Sequence, residues 1–406
     1  MKVIKLQVSK TLQTKILKGY PWVFDYQIQN PPQQGKPGDL GIIYNAKNKF
    51  LAIGLYDPFS AIRLRILQHG SPQEIDAAFF AERLKKAIAL RSSLQKGGTS
   101  GYRVINGEND GLPGMVLDRY EGTAVLKLYT SAWIPFLDII LPLLEKNLPV
   151  QRCILRLSRN TQKPVEAISD LREGQVLFGP SLTAPVCFRE NGLYFEVDVL
   201  EGQKTGFFLD QRDNRQRIRT MSKDKSVLNV FSYTGGFSVY AFAGGCRSVL
   251  EIDSNPWALK TSRETFELNF PNKQSETDIF QQFQGDAFIA LKQLIARKNS
   301  FDLVILDPPA FATNKKQKIK ALKTYSRLAE SGALLTRPGG ILFAASCSRH
   351  VSGKDFFKAV YAGVKSAGKV YEVIQKTGHA VDHPVLFPEG EYLKGVYLKI
   401  LGGKGK

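Results

Sequence analysis

Asn229-Val230-Phe231-Ser232-Tyr233-Thr234-Gly235-Gly236-Phe237 reads as a strand that runs through a glycine turn into a helix. Without a Cβ in the way, backbone N–H groups at the helix start can approach a ligand closely. Eighteen residues past Gly235, a second apolar run ends in Glu251-Ile252-Asp253, where a carboxylate can take both hydroxyls of a ribose. Either feature alone is weak, since a glycine turn is more often only a turn. Joined at this spacing they predict a site for an adenosine-containing cofactor, built on Asn229, Phe231, Tyr233, Thr234, Gly235 and Asp253. The G-x-G-x-x-G fingerprint that seats a pyrophosphate is absent, which disfavours an NAD-dependent enzyme. S-adenosyl-L-methionine carries no phosphate and does not need it.

Working outward, strands near Val227–Phe231, Ser248–Ile252, Leu303–Leu306 and Ile341–Ala345 alternate with helices that begin near Gly236, Pro256, Asp286, Lys320 and Lys354. This is the pattern of an α/β doubly wound parallel sheet. A closing pair near Tyr371–Ile374 and Tyr392–Leu401 looks like the antiparallel finish of class I methyltransferases. Before the sheet, Glu190-Asn191-Gly192-Leu193 signals a hairpin with a type I′ turn. Asp286, where a strand should hand over to a helix, is either an acceptor for an adenine amino group or an ordinary helix cap.

Two motifs close apolar runs and so stand at carboxyl ends of strands, the edge where open α/β sheets bind ligands. Asp307-Pro308-Pro309 follows Leu303–Leu306, and Ser346-Cys347-Ser348 lies about forty residues on. The prolines stiffen the exit and remove two amide donors, leaving the Asp307 carboxylate and carbonyls as acceptors for a base; a tight structural turn is the plainer alternative. A cysteine at a strand end is usually a small buried hydrophobe. Yet C5 of a pyrimidine is a poor nucleophile until something adds at C6, and a thiolate suits that addition. Of the four cysteines, only Cys347 is predicted at that edge, since Cys246 opens its strand and Cys153 and Cys187 lie outside the catalytic segment.

Residues 1–70 predict a small β-barrel or sandwich, with strands Leu40–Tyr44, Phe50–Tyr56 and Ile62–Leu67; in the last, Arg63 and Arg65 should share one basic face. Ser71 and Pro72 should open a helix over Gln73–Leu94, and residues 71–184 should form a central α+β unit with a helix at Ile134–Leu148. Fifty-six Lys and Arg against 37 Asp and Glu leave a formal charge of +19, a surplus that attracts polyanions, although a solubilising surface would look the same. Arg212, Arg215, Arg217 and Arg219 form one basic cluster, and Lys315, Lys316, Lys318, Lys320 and Lys323 another; each is either a set of phosphate contacts or a solvated helix face. Phe311 either stacks a target base or joins the core. No cysteine or histidine pair has metal-ligand spacing, so no metal is expected. None of the four histidines is seen to pair with an acid. With no signal peptide and no apolar run of membrane-spanning length, a cytoplasmic protein is expected.

These residues resemble the bacterial PUA-domain-containing family of S-adenosylmethionine-dependent class I large-subunit rRNA cytosine-C5 methyltransferases, over nearly the whole chain. The most specific matches are Gly19-Tyr20-Pro21-Trp22-Val23-Phe24, Asn106-Gly107-Glu108-Asn109-Asp110-Gly111-Leu112-Pro113-Gly114 and Gly202-Gln203-Lys204-Thr205-Gly206-Phe207-Phe208-Leu209-Asp210-Gln211-Arg212. The resemblance implies an N-terminal β-rich PUA-like RNA-binding domain (1–70), a central α+β domain (71–184) and a C-terminal Rossmann-like methyltransferase domain (185–406), often in a homodimer. It puts Cys347 in the place of the nucleophile and Phe208, Gln211, Asp253, Asp286 and Asp307 around the cofactor and target base. The chain departs from the pattern at Asn229, where many methyltransferases carry an acid. No motif fixes the general base, for which Asp307 is the candidate.

The expected function is therefore transfer of a methyl group from S-adenosyl-L-methionine to C5 of a cytosine in 23S ribosomal RNA through a covalent cysteine adduct. Rivals are an RNA base N-methyltransferase that uses Asp307-Pro308-Pro309, and a non-catalytic RNA-binding ribosome-assembly factor.

Overall fold

Strands buried on both faces need continuous apolar sequence, and the C-terminal half supplies it. In the computed structural model, which describes residues 2–30, 35–45, 47–273 and 278–403, the chain forms two units. One comprises Met1–Gly192, Val197–Leu209 and Asp382–Phe387; the other comprises Leu193–Glu196, Asp210–Val381 and Pro388–Lys406.

The first unit holds two five-stranded sheets. β1 (Val3–Leu6), β2 (Trp22–Phe24), β3 (Leu40–Tyr44), β4 (Phe50–Tyr56) and β5 (Ile62–His69) lie in the order β1-β3-β4-β5-β2, with α1 (Lys10–Leu17). β6 (Gly101–Asn106), β7 (Met115–Tyr120), β8 (Thr123–Leu128), β9 (Arg152–Leu157) and β10 (Val176–Phe178) form the second sheet in reverse chain order. Ile53, Leu55 and Leu67 of the first sheet share an apolar cluster with Phe79, Phe80, Trp133 and Phe136, so the two N-terminal segments complete one core.

Three expectations change here. The helix α2 spans Ala77–Leu90, capped by Asp76, whose carboxylate accepts from Phe79 N at 2.8 Å; it starts later than Gln73 because the carboxylate, rather than Ser71, meets the open N–H groups. A short α3 (Ser92–Lys96) follows, and after a 3-10 turn at Ser131–Phe136 come α4 (Leu137–Asn147) and α5 (Arg159–Glu166). The basic face expected on β5 is not open. The Arg65 side chain is 8% exposed and pairs with Glu108 at 2.8 Å, and Glu108 also accepts from Trp22 Nε1 at 2.7 Å. Two of the quoted motifs thus meet through one partly buried carboxylate. His383 does pair with an acid, the neighbouring Asp382, at 3.0 Å.

β11 (Val186–Glu190) and β12 (Leu193–Val197) flank the turn, where Asn191 and Gly192 have φ of 50° and 80°, as a type I′ turn requires. The second unit is built on a seven-stranded sheet of β13 (Ser226–Val230), β14 (Ser248–Asp253), β15 (Phe280–Gln284), β16 (Phe301–Leu306), β17 (Thr336–Ser346), β18 (Lys369–Thr377) and β19 (Lys394–Gly403), ordered β15-β14-β13-β16-β17-β19-β18. β13 to β17 run parallel and β19 is antiparallel to both of its neighbours. Alternate residues feed two cores: Val304 and Leu306 pack with α9 (Ala287–Ala296), α10 (Lys318–Leu335) and α11 (Gly353–Ser366). Leu303 and Ile305 pack in a second cluster with residues of α6 (Arg212–Met221), α7 (Gly236–Ala243) and α8 (Pro256–Asn269). The chain order reverses between β13 and β16, which opens a ligand crevice at their carboxyl ends.

Candidate active site

The turn after β13 is wound tightly. Phe231, Tyr233 and Gly235 have φ of 62°, 49° and 74°, a left-handed conformation that is costly for aromatic residues and concentrates at functional sites. Backbone bonds hold it to β14: Phe231 N and Ser232 N donate to Ile252 O at 2.8 and 3.1 Å, and Tyr233 N donates to Asp253 Oδ2 at 2.8 Å. Gly235 has no substitute, because a Cβ there would stand 1.9 Å from Ser262 Oγ and 2.9 Å from Glu251 Oε1. Below the turn, Ser262 Oγ and Gln282 Nε2 donate to Glu251, and burial raises the pKa of that carboxyl. Asn229 belongs to this buried layer, donating to Ser238 Oγ at 2.9 Å. It braces the sheet against α7.

Asp253 stands at the rim. Its other oxygen accepts from Asn255 N at 2.9 Å, so each oxygen keeps a lone pair for a hydroxyl. Thr234 is buried in the turn, and Ser232 Oγ is buried with no hydrogen-bond partner among the described residues. Trp257, which the sequence reading did not single out, is 44% exposed and its ring lies 6.3 Å from that of Tyr233. A carboxylate, an unsatisfied hydroxyl and an open aromatic face fit an adenosine. Gly285 N donates to Asp253 O at 2.9 Å, bringing the Gly285-Asp286 corner alongside; Asp286 caps α9, its Oδ1 accepting from Phe288 N and Ile289 N. Gln211 is buried and accepts from Asn214 Nδ2 at 2.6 Å. Phe208 lies in the Val197–Leu209 segment of the other unit, with Lys204 Nζ 4.5 Å from its ring centre.

Asp307 and Cys347 end adjacent strands, since Leu306 pairs with Ala344 and β17 runs on to Ser346. The flanking serines are buried and tied down: Ser346 Oγ donates to Tyr325 OH at 2.8 Å and Ser348 Oγ to Ala312 O at 2.9 Å. Cys347 between them is partly exposed. By contrast, burial pushes the thiols of Cys153 and Cys246 up to about 12, which leaves them inert. Tyr325 is shifted to about 12, chiefly by burial, and negative charge at Cys347 and at Asp307 adds to the rise. Both groups therefore lie within electrostatic range of one phenol. Phe311 is half-buried, its ring 6.5 Å from Phe231 and 4.9 Å from Tyr325, forming an aromatic wall that joins the two halves of the site.

A family model described as S-adenosylmethionine-dependent methyltransferase matches residues 176–386, and a PUA-like domain model matches residues 6–69. The chain is 43% identical over 402 residues to a ribosomal RNA large subunit methyltransferase of Deinococcus radiodurans, covering 98% of this chain and 97% of that one. The chain belongs to the S-adenosylmethionine-dependent large-subunit ribosomal RNA methyltransferase family. It is 36% identical over 399 residues to ribosomal RNA large subunit methyltransferase I of Pseudoalteromonas translucida, covering 97% of each chain. In fold the methyltransferase is similar to a SAM-dependent methyltransferase from Streptococcus mutans, with a TM-score of 0.81 and 21% identity over 98% of this chain and 100% of that one. A methyltransferase crystallised with SAH gives a TM-score of 0.82 at the same identity and coverage. The expected PUA-like and Rossmann-like class I folds and the S-adenosylmethionine cofactor are borne out. Among the described residues, no helix is long and apolar enough to cross a membrane.

In the methyltransferase, one further charged group that the sequence did not reveal lies within electrostatic range of the thiol. Lys394 opens β19 opposite Ser346, is 2% exposed, and donates to Ser348 O and Val351 O at 2.6 and 2.7 Å. Burial lowers its pKa to about 8, against the pull of negative charge at Glu391 and Cys347. Its ammonium form, present below about pH 8, is the charge that would favour a thiolate at Cys347. In Lys394→Met we expect the pH midpoint of Cys347 alkylation, followed by peptide mass spectrometry, to rise. An unmoved midpoint with a lowered Tm would leave Lys394 only a structural role. The stability linkage has the opposite sense to a salt-bridged lysine. Between about pH 8 and the ordinary value of 10.5, the unfolded chain holds this proton and the folded chain does not, so the burial penalty is relieved as pH rises through that window.

The first basic cluster is divided: Arg217 and Arg219 are partly exposed, whereas its other two arginines are closed to solvent. Arg212 and Arg215 on α6 are 1% and 2% exposed, with the Arg215 guanidinium 5.9 Å from the Tyr240 ring centre. In the second cluster Lys318 pairs with Asp355 at 2.7 Å, while Lys315, Lys316, Lys320 and Lys323 stay exposed just past Phe311.

Proposed function

We propose that this methyltransferase modifies C5 of a cytosine in large-subunit ribosomal RNA, with Cys347 as nucleophile and Asp307 as the group that holds the base and takes its proton. The observation that supports it most is the pairing of a partly exposed thiol with a carboxylate on the next strand end. Cys347 Sγ adds to C6, the C5–C6 double bond opens, and C5 becomes electron-rich. Bound against Asp253, S-adenosylmethionine supplies the electrophilic methyl group. Asp307 then takes the proton from C5, the double bond re-forms and the Cys347 thiolate departs. The Asp307-Pro308-Pro309 turn restricts how a ring can sit over the thiol.

Relatives named as ribosomal RNA large subunit methyltransferases support the choice of RNA. A cytoplasmic homodimer is the state this reading expects, and sedimentation of the pure protein tests the dimer. Nucleoside mass spectrometry of 23S rRNA treated with enzyme and cofactor should yield 5-methylcytidine. A methyl group on an exocyclic or ring nitrogen would instead establish the N-methyltransferase rival and leave Cys347 without a covalent role.

A further inference from the structure

The two faces of α11 differ in kind. Phe356, Val360 and Val364 pack into the core, whereas Lys354, Lys358 and Lys365 are exposed, with Phe357 and Tyr361 between them at helical spacing. With Tyr371 and Lys376 of the edge strand β18, these side chains line an open groove of about 660 Å³. Tyr371 and Lys376 are five residues apart, and a regular strand would send them to opposite faces. The register of β18 slips between Val373 and Gln375, and that bulge returns Lys376 to the groove side. The Tyr361 and Tyr371 rings stack 5.2 Å apart at 22°, and Lys376 Nζ lies 5.0 Å from the centre of Phe357. No acidic side chain among the described residues lines the groove.

We propose that this groove holds a single-stranded segment of the RNA substrate, an inference that rests on the RNA reading above. Lysines that track a backbone and rings that offer stacking faces are the two parts of a single-strand platform. An acidic peptide would use the lysines but leave the rings without a role. The placement also fits, because α11 begins six residues past Cys347 and its 14 residues extend roughly 20 Å from the reacting edge. The Lys318–Asp355 pair joins the start of α10 to the start of α11, which sets the exposed lysines after Phe311 beside the mouth of the groove.

The test is fluorescence anisotropy with a labelled single-stranded rRNA fragment across a salt series, using wild-type protein, the triple variant Lys354→Ser/Lys358→Ser/Lys365→Ser, and Tyr371→Leu. The triple variant should reduce the salt slope by about 2, from three lost phosphate contacts, with S-adenosylmethionine binding and Tm unchanged. Tyr371→Leu should weaken binding by roughly fivefold or more with the slope unchanged, as loss of stacking predicts. If wild type binds RNA and both variants match it, the groove proposal is overturned and the RNA reading stands. If wild type binds labelled poly-glutamate and not RNA, both are overturned.

Discussion

Cys347→Ala is expected to lose methyl transfer by on the order of 10⁴-fold or more while binding S-adenosylmethionine as wild type does. The size follows from the chemistry. Without addition at C6, C5 of cytosine has no electron pair to offer, and the other thiol among the described residues of this unit, Cys246, precedes β14 at its opposite end and is pushed by burial up to about 12. The fold should tolerate the change. Cys347 is partly exposed, and the bonds that shape its corner come from Ser346, Ser348 and Lys394. Tm should therefore move little. Cys347→Ser should be equally inactive, since a hydroxyl at neutral pH is a far weaker nucleophile than a thiolate. A variant with a tenth of wild-type turnover would exclude the covalent route.

Asp253→Ala is expected to weaken S-adenosylmethionine binding by about 100-fold, or about 2.7 kcal/mol, read by calorimetry. Two losses add. The rim loses its acceptor for ribose hydroxyls, and the turn loses the bond from Tyr233 N that helps hold its left-handed residues. Asp253→Asn keeps the shape and one acceptor oxygen, so it should fall between the two. Unchanged affinity in Asp253→Ala would move the adenosine site elsewhere.

What the sequence revealed was local. Leu303–Leu306 and Ile341–Ala345 are apolar because both faces of the sheet are covered, so their ends, and hence Asp307 and Cys347, could be placed without a structure. The Asn191-Gly192 turn was legible for a similar reason: its backbone conformation is one that few residues adopt. Phe280–Gln284 was not singled out as a strand, because it lies at the sheet edge with only Phe280 buried and carries three glutamines. Long-range pairing was invisible. The Arg63–Arg65 pattern suggested a basic surface, but Arg65 is neutralised by Glu108 from the 3-10 turn that follows β6. Arg212 and Arg215 looked available on charge alone, and burial removes them. Lys394 is far from Cys347 in sequence and comes opposite its neighbour Ser346 only through the antiparallel register of β19 against β17. In each case an element's own residues set its type, while its neighbours were chosen by the assembled sheet.

The central claim is that sulfur of Cys347 bonds to C6 of a cytosine during the reaction. The most direct measurement is incubation with S-adenosylmethionine and rRNA in which cytosine is replaced by 5-fluorocytosine, a base that offers no C5 proton for release. Peptide mass spectrometry should then find a stable RNA adduct, carrying the transferred methyl, on the peptide that contains Cys347. Methylated RNA with no adduct on that peptide, or an adduct on another residue, would contradict it.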